Sequence, residues 1–438
     1  MRVTIHRGSK EIGGTCIEVQ AGASRIVLDL GQPITLPRDF PMPREATPEA
    51  VAFLRQEKVL PAVPGLFPGD PGPRPDALIV SHPHIDHFGL VRFADPAIPC
   101  ITGEASRRLM DVSLLIAPAA GRTPDGQGMA LRDRKTLRIG AFSITPYLVD
   151  HSAFDAYALL VEAGGRRLFY SGDFRGHGRK RRLFDRLLEH PPEVDVLLME
   201  GTRITGRNDG FPDEEAVEQA LADLLKQNPG KLALATFSAQ NVDRLVTVYK
   251  ACRKARRTLV VDPYTAYVLK ELGPYAKLPQ VDWAGIRVIR TRGITRLMNA
   301  RGLGDFIASL PKAAGTWGEI EADPGRHLLV FRDSMIPDME RLEAVRQGRF
   351  LLVFSLWAGY LKDDGSFGKY NAFARKHGIK PVHLHTSGHA SVEDLQRFAS
   401  ALGKKCLVPI HTFNPKDFRV KLTGVNVTEQ EDGIPFEV

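Results

Sequence analysis

Cysteine is scarce in this chain: four residues in 438, Cys16, Cys100, Cys252 and Cys406, with no C-x-x-C pair and no regular spacing. A disulfide framework or a cysteine-based zinc site therefore has almost no support, and a reducing compartment is favoured. No apolar run reaches membrane-spanning length, and the opening Met1-Arg2-Val3-Thr4-Ile5-His6-Arg7 lacks the apolar stretch of a signal peptide. The expected location is the cytoplasm. Repeats and low-complexity tracts are missing as well. Histidine is sparse, at 13 residues, so any clustering of histidines carries information.

What is present is the composition of a soluble globular protein, 43% hydrophobic and 25% charged. The length suits two domains, or one domain with a large insertion. Lys and Arg number 59 against 51 Asp and Glu, a formal net charge of +8. That balance is compatible with a polyanionic partner without establishing one.

Short apolar runs punctuated by Gly and Pro fill the first ~200 residues and read as strands joined by tight loops. Ile26–Gly31, Ala77–Ser81, Arg167–Asp173 and Val194–Glu200 are four such runs, each ending in polar residues. From about Asn208 the pattern changes to alternating strand and helix. Ala216, Ala220 and Leu224 show helical spacing, Lys231–Thr236 reads as a strand, and Val242, Leu245, Val246 and Tyr249 fall on one helix face. Thr258–Val261 reads as a strand, and Val268, Leu269 and Leu272 as a helix stopped by Gly273. Ala313–Gly318 and Asp363–Ser366 read as loops. Near the end, Ser391-x-x-Asp394 resembles a capping box, followed by the stripe Val392, Leu395, Phe398, Ala399 and Leu402. Cys406–Ile410 then delivers His411.

The strongest feature is Ser81-His82-Pro83-His84-Ile85-Asp86-His87, three histidines and a carboxylate directly after an apolar strand. Imidazole and carboxylate ligands suit Zn²⁺ or similar divalent ions. A compact turn could aim His82 and His84 at one ion, and Asp86 and His87 at a second. Asp150-His151, Ser171-Gly172-Asp173 and His411 each follow a further apolar run. A lone His or Asp at a strand end is more often a cap, but together with the cluster these residues complete two coordination spheres.

In this order, the motifs resemble those of the metallo-β-lactamase superfamily. Gly13-Gly14-Thr15-Cys16 and Leu28-Asp29-Leu30-Gly31 are similar to its opening strands and their aspartate. Met199-Glu200-Gly201-Thr202, Thr386-Ser387-Gly388-His389-Ala390 and Val408-Pro409-Ile410-His411 resemble the β-CASP branch of nucleic-acid-processing nucleases, which includes ribonuclease J. The resemblance implies an α/β protein, a metallo-β-lactamase αβ/βα sandwich with an inserted α/β β-CASP domain. The expected division is 1–207 for the first part of the lactamase domain, 208–367 for the insertion and 368–438 for the returning part.

Carried over, the resemblance gives His82, His84 and His151 to one metal and Asp86, His87 and His411 to the other, with Asp173 bridging. Asp29 and Glu200 would accept the outer N–H groups of ligand histidines. Two divalent ions, Zn²⁺ or alternatively Mn²⁺, would activate a hydroxide and clamp a phosphoryl group. Asp86 or Asp173 would accept the attacking proton, and His389 would donate to the departing oxygen. A buried structural histidine is the competing reading of His389. Phosphate and RNA contacts are expected at Ser238 and Asn241 before one helix, at Ser387 and Gly388 before another, and at Arg175 in the basic run after Asp173. The bland alternatives are that Ser238 and Asn241 cap a helix and that a basic run is a solvated face. Asp243 stands where ribonuclease J commonly has a histidine, which puts a 5′-phosphate pocket in doubt.

The expected activity is metal-dependent cleavage of single-stranded RNA, by endonuclease action, 5′ exonuclease action or both. A DNA nuclease of the same branch, a small-ester hydrolase of the lactamase fold and a nucleic-acid-binding subunit are the alternatives. His411 tilts the choice toward RNA, and the complete ligand set toward an enzyme. Little room remains for the further C-terminal domain that ribonuclease J enzymes commonly carry. The oligomeric state is therefore open, a homodimer included, and no membrane partner is expected.

Overall fold

The computed structural model describes residues 1–37, 39–116, 125–206, 210–310, 314–362 and 367–438. The chain folds into two compact units, Met1–Arg207 together with Gly388–Val438, and Asn208–Ser387.

The first unit holds two six-stranded sheets. One runs in the order Pro435–Glu437, Arg2–Arg7, Cys16–Ala21, Ser24–Leu28, Ala77–Ile79, Cys100–Ile101. The other runs Leu407–Ile410, Val196–Glu200, Arg166–Tyr170, Tyr157–Ala163, Phe142–Leu148, Leu137–Ile139. Alternation along the strands builds the layers, because successive side chains point to opposite faces. Ile26, Leu28, Ile79, Leu159, Leu168, Tyr170 and Leu198 meet in one core between the sheets. Their neighbours Val27 and Leu78 face the opposite way, into a second core with the helix Pro48–Gln56. Phe169, Leu197 and Met199 do the same on the other sheet, packing on Arg181–Glu189 and Val392–Leu402. Helix, sheet, sheet and helix are thus stacked as an αβ/βα sandwich, the expected fold class. The closing helix follows its sequence pattern closely. Ser391 Oγ accepts from Asp394 N at 3.0 Å, and Leu395, Phe398, Ala399 and Leu402 are buried.

The second unit is a six-stranded sheet, Ile286–Val288, Thr258–Val261, His327–Val330, Leu232–Thr236, Phe350–Phe354, Val382–His383, with all pairings parallel. Helices cover such sheets on both faces, which is why Leu232–Thr236 and Phe350–Phe354 are apolar runs buried throughout.

Several sequence expectations shift here. Residues 368–387, assigned to the returning lactamase part, belong to the second unit. Val382–His383 pairs with Val353 and Phe354, and Tyr370, Phe373 and Ala374 pack into that unit's core. The helix Glu214–Gln227 buries Val217, Leu221 and Leu225, one residue on from the expected Ala216, Ala220 and Leu224. Val217 and Leu221 win the core over the alanines before them because they remove more apolar area from water. On Val242–Lys254, Leu245, Val248, Ala251 and Cys252 are buried, while Val246 and Tyr249 are only half-buried. Residues read as loop from 314 onward form the helix Ala314–Ala322, anchored by buried Ile320. Ala313 and Asp363–Ser366, also read as loop, and Asn208, where the pattern was seen to change, lie outside the described residues. All four cysteines are free thiols. Among the described residues, no helix is long and apolar enough to cross a membrane.

Candidate metal centre

The centre is built at the ends of strands in the first unit. After Ala77–Ile79 the chain turns through Ser81-His82-Pro83-His84 into the short helix Ile85–Phe88. Leu30 N donates to His87 O at 2.9 Å and Gln32 N to Ile85 O at 3.0 Å, clamping that helix to the segment after Ser24–Leu28. Gly31 is required there, since a Cβ would overlap the Asp86 carbonyl. His151 follows Phe142–Leu148, Asp173 follows Arg166–Tyr170, Glu200 ends its strand, and His411 follows Leu407–Ile410. Asp29 and His411 hold left-handed backbone, at φ 58° and 50°. That conformation is uncommon for residues with a Cβ and gathers at functional sites.

Three groups of potential ligands result: His82, His84, His151 and Asp173; Asp86, His87 and His411; and Asp173, Glu200 and His389. His151 Nε2 and His84 Nδ1 face each other at 3.1 Å. Asp173 Oδ2 lies 3.2 Å from His87 Nε2, 3.7 Å from His82 Nε2, 3.8 Å from His411 Nε2 and 3.6 Å from His389 Nδ1. His82 Nε2, His411 Nε2 and Asp173 Oδ1 are buried without a hydrogen-bond partner. Buried polar atoms are nearly always satisfied. Such a convergence of orphaned nitrogen and carboxylate donors fits divalent cations.

The opposite edge of four of these imidazoles is held by a different group. Asp29 Oδ2 accepts from His87 Nδ1 at 2.7 Å, and Asp29 also takes the Ser81 N–H, the Ser81 hydroxyl and the Tyr170 hydroxyl. His151 Nδ1 donates to the Gly388 carbonyl at 2.6 Å. His82 Nδ1 meets Ser81 Oγ at 3.0 Å, and His411 Nδ1 meets Thr15 Oγ1 at 2.9 Å. Each contact fixes ring orientation and leaves the inward nitrogen for a ligand.

Electrostatics follow from burial and these partners. Burial, then neighbouring imidazoles, holds His82 and His151 well below the usual histidine range; His84, also chiefly by burial, is lowered to about 4. Burial lowers His411 as well. Neutral imidazole is the ligating form. Burial would lower His87 too, but the Asp173 and Asp29 carboxylates override it and raise its pKa. Burial opposes ionisation of Asp173, yet His411, His87 and His389 hold it well below the carboxylate range. For His389, burial is outweighed by Glu200 and Asp173, and its pKa rises to about 9.

Some expectations need correction. Glu200 was given to a ligand histidine; instead Oε1 lies 3.3 Å from His389 Nδ1, and Oε2 accepts from Thr202 N at 2.9 Å. Arg175 was expected to meet RNA, but it is wholly buried. Its Nε donates to Asp150 Oδ1 at 3.2 Å, because the turn after Asp173 folds inward and Arg175 N bonds Asp150 O at 2.7 Å. At Gly388, expected to bind phosphate, the carbonyl accepts from His151 Nδ1, which leaves that expectation standing, and a side chain there would run into Ser152 Oγ. In the second unit, Asn241 Oδ1 caps its helix by accepting from Arg244 N at 3.0 Å, whereas Ser238 is exposed and Ser387 is buried. Thr15 and Tyr170 were missed. Thr15 had a signal in Gly13-Gly14-Thr15; Tyr170 looked like any apolar strand residue.

Residues 45–228 match the family described as "Beta-lactamase superfamily domain". The whole chain aligns with ribonuclease J of Helicobacter pylori (strain B128), 22% identical over 461 residues and covering 60% of that protein. It is 23% identical over 373 residues to ribonuclease J of Mycobacterium tuberculosis, 77% of this chain and 58% of that one. A ribonuclease of Thermus thermophilus is 26% identical over 267 residues, 57% of this chain and 54% of its own length. The chain thus spans about 60% of the length of the curated relatives it matches in full. A solved protein of unknown function from Enterococcus faecalis superposes over 99% of both chains, with a TM-score of 0.77 and 24% identity. The chain thus has a sandwich fold and a donor set that fits divalent metals, it matches the β-lactamase superfamily domain over residues 45–228, and it is similar to ribonuclease J enzymes.

Proposed function

We propose that this chain is a ribonuclease that hydrolyses phosphodiester bonds of single-stranded RNA with two divalent ions, Zn²⁺ or Mn²⁺, and that its second unit is the inserted β-CASP domain. The observation carrying the reading is the convergence on Asp173 of donors from both ligand groups, with Nε2 of His82 and His411 left without a hydrogen-bond partner. One ion would be held by His82, His84 and His151, the other by Asp86, His87 and His411, and Asp173 would touch both. Four carboxylates in and beside the donor set, Asp29, Asp86, Asp173 and Glu200, would balance the four positive charges. When bound, such ions supply Lewis acidity toward a phosphoryl group and lower the pKa of water.

The chain's own residues supply the rest. Asp29, Thr15, Ser81 and Gly388 hold the ligand rings in one orientation, so little reorganisation is needed during reaction. Asp86, partly open to solvent, is placed to accept a proton. His389 has Glu200 and Asp173 beside Nδ1, which favour its protonated form and place it to donate to a departing oxygen.

The test is cleavage of matched, end-labelled single-stranded RNA and DNA with added Zn²⁺ or Mn²⁺, and with a chelator as control. Metal-dependent cutting of RNA supports the reading, and its product ladder separates endonuclease from exonuclease action. Preferential cutting of DNA, or no cutting of either strand with two metals bound per chain, overturns it.

A further inference from the structure

We infer that the surface formed by Trp357, Tyr360, Lys362 and Lys380 of the second unit binds single-stranded RNA by base stacking and phosphate contact. The inference rests on the nuclease reading for its choice of polyanion. Large aromatics are seldom left in water without reason, because each removes much apolar area when buried. Here two of them lie together in the full chain, Trp357 49% exposed and Tyr360 42% exposed, with ring centroids 5.5 Å apart and planes at 84°.

The pair is held rather than loose. The Trp357 ring lies directly over Gly359, where any Cβ would collide with it. Tyr360 sits 6.0 Å from Phe367, which meets Phe354 of the core at 5.2 Å, so a continuous aromatic row runs from the surface inward. Leu356 O accepts from His383 Nε2 at 2.8 Å and pins the start of the turn. A preorganised ring loses little entropy when a base stacks on it.

Charge decides which partner suits this surface. Beside the aromatics is a cleft of about 340 Å³ lined by Leu361, Asn371, Arg375 and Lys380. Asn371 Nδ2 donates to Leu361 O at 3.0 Å and ties the cleft to the aromatic turn. Lys362 and Lys380 are exposed, and among the described residues neither has a carboxylate within ion-pair distance. Between residues 357 and 380 the sequence carries five Lys and Arg against two Asp. A protein-binding patch would be ringed by more apolar surface and both signs of charge. Exposed aromatic faces flanked by cations are what a single strand of any sequence needs.

The test uses the full chain and a fluorescein-labelled single-stranded RNA, with chelator present so that binding is read without cleavage. Trp357→Ala combined with Tyr360→Ala is expected to weaken binding about 10-fold, while Trp357→Phe stays near the parent. Lys362→Ala and Lys380→Ala are each expected to lower the salt slope of log K by about 0.7. Unchanged affinity in the aromatic double variant overturns the inference. So does a parent chain that binds no RNA at low salt, or a variant that keeps RNA affinity but changes its sedimentation, which would make the patch a protein contact. Failure of the nuclease reading would appear separately, as RNA bound here and left uncut when metal is supplied.

Discussion

Asp29 Oδ2 accepts the Nδ1–H of His87 at 2.7 Å, and the same ring presents Nε2 to Asp173 Oδ2 at 3.2 Å. One carboxylate thus fixes the tautomer and aim of a histidine that a second carboxylate shares with the metal-binding donors. Asp29→Asn keeps the shape and tolerates the left-handed backbone, but removes the charge. The expected outcome is a 10–100-fold loss in metal affinity, roughly, with the fold retained. Metal titration followed by calorimetry, beside a thermal melt, checks it.

Asp86→Ala and His411→Asn are expected to abolish cleavage while leaving unfolding cooperative, since neither side chain contributes to an apolar core. Asparagine is chosen at 411 because φ there is 50°. Single-turnover cleavage with measured metal content tests both, and near-parental turnover in either variant would contradict the ligand assignment.

His389→Ala is expected to slow the chemical step by roughly 10²–10⁴-fold and to change RNA affinity much less. Turnover of pre-bound RNA separates the two effects. If affinity collapses and bound RNA is cut at the parental rate, His389 docks substrate instead.

Arg175→Ala leaves the buried Asp150 carboxylate facing an empty space, with an expected cost of about 3–5 kcal/mol. The salt dependence of RNA binding should not change, because the guanidinium never reaches solvent. Denaturant unfolding and a salt titration provide the two readouts.

His385, in the second unit, is pushed down to about 3, chiefly by burial and next by the Arg244 guanidinium. The folded state therefore holds this ring neutral while the unfolded chain protonates it near 6.5. Its contribution is complete above that value and is lost as pH falls toward 3, with a slope of up to about 1.4 kcal/mol per pH unit. His385→Gln should flatten that part of the stability curve, measured by urea unfolding between pH 7 and pH 4 in the presence of chelator.

Much of the centre was legible because its chemistry is written locally. Four donors sit in His82–His87, and strand ends announce His151, Asp173 and His411 as runs of apolar residues that stop on a polar one. The alternation gave strands and loops, while the sandwich itself was expected only from the family resemblance of the motifs. What could not be read depended on where a side chain points after the chain has turned. Arg175 stands in a run with Arg179, Lys180, Arg181 and Arg182, and nothing local distinguishes it from the others. Its approach to Asp150 is made by the folded chain and has no local signal. Nothing local in the turn at Gly388 shows that its carbonyl accepts from His151, more than 230 residues away in sequence. The stripe on Glu214–Gln227 slipped by a residue because alanine counts like valine or leucine in a period but not in a core.

Among the described residues, the strand Leu407–Ile410 pairs in parallel with Val196–Glu200 on its outer side and leads directly into His411. On the ribosome these partners are separated by the time needed to make the intervening chain, roughly 10–40 s at bacterial rates of synthesis. Throughout that interval Val196–Glu200 is an open edge, apolar up to its terminal Glu200, the kind of surface that invites pairing with another chain. The nascent polypeptide is also without His411, so the last of the converging donors and the protection of that edge arrive together, in the same few residues.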